Sequence, residues 1–139
     1  MNDMTIRLIP PKEPEALQAD PDKMDNNMSL ICMVTLKNRR FLFTGDIEES
    51  RISQILDRKE DVRADWLKVP YHGAYLSNNM EFLTAVSPQY AVISTGNERL
   101  ADARLLLDLS ALNIQNYTTM AGSIVTVCDG ESITVSYLE

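Results

Sequence analysis

At 139 residues, 45% hydrophobic and 24% charged, the chain is long enough for one domain with a real core, and no apolar run approaches the length that crosses a bilayer. A net charge of -7 opposes non-specific attraction to phosphate backbones, which draws on clustered Lys and Arg, so charge does not indicate nucleic acid as a partner. Cys32 and Cys128 stand far apart, without a CxxC or Cys/His spacing. That argues against a zinc finger and gives no disulfide framework, and both read as buried small hydrophobes.

The start, MNDMTIRLIPP, has neither a basic n-region nor a long apolar h-region, and it reads as a cytoplasmic protein or a cut piece. MTIRLIP alternates loosely and stops at Pro10-Pro11, as a short strand would. Residues 10–28 are acidic and proline-containing, and read as a loop. SLICMVTL and RFLFT are apolar runs joined by KNR, which predicts an antiparallel pair with the basic Lys37-Asn38-Arg39-Arg40 stretch at its turn. From Ile47 the apolar residues Ile52, Ile55 and Leu56 fall at helical spacing, so a helix is expected to about Lys59.

ADWLKVP returns to a buried strand, YHGAYLSN is a glycine-containing loop, and NMEFLTAV reads as a helix before the strand YAVIST. RLADARLLLDLSALN carries the spacing of what should be the longest helix. The tail GSIVTVCDGESITVSYL is two alternating runs around Asp129-Gly130, a hairpin signal because Asp-Gly suits a type I′ turn. Strands separated by helices indicate a layered α/β or α+β domain with a mixed sheet. About three helices cannot cover both faces of seven or eight strands, so a second layer is expected to be missing and one apolar face exposed.

Two residues could carry chemistry. Asp46, in Thr44-Gly45-Asp46, is a good helix N-cap with Glu49 three positions on, and taken alone the residues favour the cap. It also leaves a buried strand, where open sheets place ligands. His72, the single histidine, follows another buried strand, and a lone loop histidine is more often an ordinary surface residue. A carboxylate and an imidazole on one sheet edge would suit zinc or manganese, but two ligands fall short of the roughly four that zinc takes. No GxSxG, P-loop or GxGxxG is present.

The order of three stretches adds to this. NNMSLICMVTLKNRRFLFTGDIEE, LKVPYHGAYLSNNMEFLTAVSPQYAVISTG and TTMAGSIVTVCDG together resemble the C-terminal half of metallo-β-lactamase-fold hydrolases, in the branch of the ComEC-type competence proteins. The resemblance runs from about Met4 to Glu139, residues 1–139 then forming one domain that is half of an αββα sandwich with helices mainly on one face. It implies a metal-dependent hydrolase in which Asp46 matches the carboxylate bridging two metals and His72 the histidine of a His-His-Gly loop. Tyr71, Glu48 and Ser77 would be the polar neighbours supporting them.

The departures matter equally. The H-x-H-x-D-H set of the other half is absent, Tyr71 replaces the first loop histidine, Ala74 its serine, and NERLADA stands where N-x-Y-G-H-P is expected. No catalytic residue set is therefore complete in this chain, and a divalent metal belongs to the complete fold. The expected partner is a missing N-terminal half, a second copy or another protein. The alternative is a non-catalytic half-fold serving assembly or binding.

Overall fold

A computed structural model describes residues 3–17 and 21–138, and among these, short β-branched and aromatic runs broken by turn residues form eight strands. Six form one mixed sheet in the order β1 (Met4–Ile9), β2 (Ile31–Leu36), β3 (Arg39–Phe43), β4 (Trp66–Lys68), β5 (Tyr90–Ile93), β6 (Gln115–Thr118). The first three are antiparallel, and β3 to β6 run parallel. The last two, β7 (Ile124–Cys128) and β8 (Ile133–Tyr137), make a separate hairpin.

The parallel connections carry the helices, as βαβ crossovers must. They are α3 (Glu49–Asp57), α4 (Asn79–Val86) and α5 (Ala103–Ala111). All pack on one sheet face, where Ile31, Met33, Leu42, Leu67, Ala91 and Ile93 meet Ile52, Ile55, Phe82, Leu83, Leu105 and Leu109 in one buried cluster. The expectation of a mixed sheet with helices mainly on one face holds.

Alternation sends the neighbouring side chains to the opposite face. There the β7–β8 hairpin covers only one end, with Val135, Ile124 and Ile133 against Trp66, Val92, Phe41, Tyr90 and Tyr117. Toward β1 nothing among the described residues lies over it: Met4, Ile6 and Leu8 are 53%, 59% and 56% exposed and Phe43 is 40% exposed. This apolar strip is the exposed face expected, and Cys32, partly exposed between Leu8 and Phe43, is not the buried hydrophobe expected.

Other expectations are corrected. Within the supposed loop 10–28, of which residues 18–20 lie outside the described ones, Pro14–Leu17 (α1) and Met24–Asn27 (α2) form single helical turns. The helix expected over residues 99–113 begins only at Ala103, because Asp102 caps it by accepting from the Arg104 amide at 2.9 Å, and it is no longer than α3. The terminal hairpin is real, but its loop is an Asx turn, with the Asp129 carboxylate accepting from the Glu131 and Ser132 amides. Strand β6 has no signal in the sequence, since Gln115-Asn116-Tyr117-Thr118 is a polar edge strand without an apolar pattern. No helix of the described residues is long and apolar enough to cross a membrane.

Candidate functional site

The parallel strands β3, β4 and β5 end side by side, so the segments leaving them meet at one edge of the sheet. Thr44-Gly45-Asp46 leaves β3, Pro70 to Gly73 follows β4, and Ser94 to Gly96 follows β5. Buried Thr44 locks the first to the second by donating to the Lys68 carbonyl at 2.8 Å. Gly45 turns with φ +62, and a Cβ there would meet the Ser29 side chain at 2.8 Å. Ser29 Oγ in turn accepts from the Asp46 amide at 3.3 Å.

Asp46 is not a helix cap. The N-cap of α3 is Glu48, whose side chain makes no capping bond. The cap comes from another segment: fully buried Asn27, at the end of α2, accepts from the Glu48 amide at 2.9 Å and the Arg51 amide at 3.3 Å. A local capping signal misleads when a buried amide reaches the helix start first. The Asp46 carboxylate is thereby left to face its surroundings.

What it faces is His72. Asp46 Oδ2 lies 3.2 Å from His72 Nε2, and Asp46 Oδ1 lies 3.5 Å from Lys68 Nζ. On its other side the imidazole has Nδ1 2.7 Å from the Ser94 carbonyl, which can only accept. Nδ1 therefore carries hydrogen, and Nε2 is the ring nitrogen that faces the carboxylate. Two acceptors that close are stable only with positive charge between or beside them, whether a proton on Nε2, the Lys68 ammonium or a metal ion. Half-buried Lys68 also donates to the Gly45 carbonyl at 3.1 Å, and burial lowers its pKa against the opposing pull of Asp46.

The loop presenting His72 is strained. Tyr71 and His72 adopt φ +48 and +55, and Gly73 follows at +79. A non-glycine residue held this way costs about 1–3 kcal/mol, so the surroundings must enforce it. They do so through the Tyr71 amide donating to the Gly45 carbonyl, the Asp102 amide donating to the Gly73 carbonyl, and the Ser94 bond to the ring. At Gly73 a Cβ would meet Ile93 Cγ2 at 2.7 Å.

The sequence candidates thus divide. Asp46, His72 and Tyr71 come together. Glu48 is 4% exposed and turned to Asn26 at 2.8 Å and Lys23 at 3.6 Å, and Ser77 is bound through its amide to Glu49. Lys68, Ser94, Ser29 and Asn27 join the site only in the fold, although the first two stand at or next to strand ends and the last two lie in the NNMSL stretch.

As metal donors, Asp46 and His72 fit one side of a site and do not complete it. Tetrahedral ligands at about 2.0–2.1 Å from zinc stand about 3.3 Å from each other, close to the separation seen. Among the described residues, however, no group of three His, Cys, Asp or Glu could hold a metal ion. Further donors would have to come from outside the described residues.

No family model matches the chain. It is similar to ComE operon protein 3 of Bacillus subtilis (strain 168), at 29% identity over 96 residues. Those residues are 69% of this chain and 12% of the relative, so the chain spans a small part of that protein's length.

Proposed function

We propose that residues 1–139 form the C-terminal half-domain of a metal-dependent hydrolase of the metallo-β-lactamase superfamily, inactive as this chain alone. The observation that carries the reading is the approach of His72 Nε2 to Asp46 Oδ2 at 3.2 Å, with Ser94 fixing the opposite ring nitrogen. A hydrogen bond to the far nitrogen is what orients a metal-binding histidine and raises its basicity. Similarity to ComE operon protein 3 over 69% of the chain supports the same branch.

In this reading Asp46 and His72 hold a divalent ion, zinc or manganese. When bound, the ion supplies the Lewis acidity that makes water a nucleophile toward an ester, a phosphodiester foremost. The chain's own part is to set the two donors: Thr44 and Gly45 shape the Asp46 turn, and the strained Tyr71-His72-Gly73 loop sets the imidazole. The apolar strip of Met4, Ile6, Leu8 and Phe43 would receive the N-terminal half.

The test is zinc and manganese calorimetry on the chain alone and combined with a half carrying H-x-H-x-D-H. The chain alone is expected to show no tight binding. The combination should take up metal, and Asp46→Ala and His72→Ala should each abolish that uptake. Failure to bind in the combination, or binding indifferent to both substitutions, overturns the reading.

A second reading, a non-catalytic half-fold for assembly or binding, is favoured by one observation: the Lys68 ammonium already stands 3.5 Å from Asp46 and supplies the cation. Here the exposed strip is the working surface, with a second copy or another protein as its occupant. Sedimentation separates the two readings: association abolished by Ile6→Glu, with no metal uptake in any combination, would favour this one.

A further inference from the structure

Beside the Asp46–His72 pair lies an open cavity of about 350 Å³ lined by His72, Ser94, Thr95, Gly96 and Arg99. Its wall holds a full positive charge and no carboxylate. Arg99 reaches it from a tight turn closed by its own amide on the Gly96 carbonyl at 3.1 Å. The guanidinium carbon sits 4.2 Å from the centroid of the Tyr71 ring, and among the described residues Arg99 forms no salt bridge.

That stacking is informative. An arginine laid on an aromatic face is held in direction by the ring while its N–H fork stays available, because the ring engages the flat face of the guanidinium and not its donor edge. The Tyr71 ring is itself partly buried against the main core cluster. Tyr71 and Arg99 are also two of the places where the sequence departs from the metallo-β-lactamase-type pattern it resembles, one in the loop after β4 and one in the stretch after β5, and in space they touch. The Asp46 carboxylate beyond His72 is offset by Lys68, so it does not close the cavity to anions.

We infer that this cavity is an anion site in which Arg99, positioned by Tyr71, recognises the phosphoryl group of a phosphate ester. The guanidinium fork matches two phosphoryl oxygens at once, and a cavity open to solvent leaves room for the esterified part of the ligand. The inference goes beyond the metal reading and does not need it, since the charge that binds is the chain's own.

The experiment is a titration of the chain, in chelator and at constant ionic strength, with inorganic phosphate, dimethyl phosphate and acetate, followed by amide-resolved NMR. Saturable shifts at Thr95, Gly96 and the Arg99 side chain are expected with the phosphates. Arg99→Gln should weaken them about tenfold through loss of the charge-assisted bonds. Tyr71→Phe should keep the affinity because the ring face persists, while Tyr71→Leu should lower it several-fold. Arg99 is exposed, so its replacement leaves the fold intact as a control. No saturable shift, equal affinity in Arg99→Gln, or acetate binding as tightly as phosphate overturns the inference. Stronger binding of dimethyl phosphate than of inorganic phosphate would assign a diester, and the reverse a monoester. With metal excluded throughout, none of these results depends on whether Asp46 and His72 hold metal.

Discussion

The two faces of the six-stranded sheet are built from the same strands and have different fates. On one, Leu42 and Leu67 are fully buried beneath α3, α4 and α5. On the other, the hairpin β7–β8 covers the end around Trp66 and leaves Met4, Ile6, Leu8 and Phe43 in contact with water. The first face holds the larger buried cluster, and the second leaves apolar side chains in water. The candidate site lies where the strands end, between these two regimes.

The contrast is broken most directly by large-to-small substitution. Leu67→Ala should destabilise the chain by about 2–5 kcal/mol, as buried leucines do when a cavity is left. Ile6→Ala, on the open face, should stay within about 0.5 kcal/mol in the isolated chain. Urea denaturation of both variants checks the pair, and a large loss from Ile6→Ala would mean that the strip is already covered by self-association.

A smaller effect tests the cap of α3. Asn27→Ala removes the acceptor for the Glu48 and Arg51 amides and should cost about 1–2 kcal/mol. Asp46→Asn should leave α3 unchanged, because its carboxylate faces His72 and Lys68. The same denaturation series separates the two, and a helix loosened by Asp46→Asn would restore the capping role.

The smallest effect lies at the start of α5. The Arg104 side chain and amide hold the Asp102 carboxyl down to about 2. A carboxylate with a depressed folded pKa contributes stability that is present above its unfolded value of about 3.8 and is lost as pH falls through the folded one. Thermal midpoints of wild type and Asp102→Asn should therefore converge between about pH 4 and pH 2. Parallel curves over that window would show that Asp102 does not contribute this way.

Much of this was legible in the residues. Apolar runs such as SLICMVTL and YAVIST announce buried strands, the 3.6-residue spacing of Ile52, Ile55 and Leu56 announces α3, and too few helices for the sheet announces an uncovered face. The pairing of Asp46 with His72 could be suspected because both follow buried strands. Edge strand β6 could not, since its residues carry no apolar signal and it is defined by its register with β5.

What the sequence by itself determined is the local pattern: which segments are apolar, where they turn, and which side chains could bind a cation. Tertiary structure alone decided which of those side chains meet. Asp46 reads as a cap until Asn27, 19 positions earlier in the chain, takes that role, and Arg99 reads as part of a helix until Asp102 starts the helix after it and leaves the guanidinium on Tyr71. Short-range propensity scores each residue against its sequence neighbours, whereas hydrogen bonds and ring contacts are made with whichever group the packed sheet brings within a few ångströms.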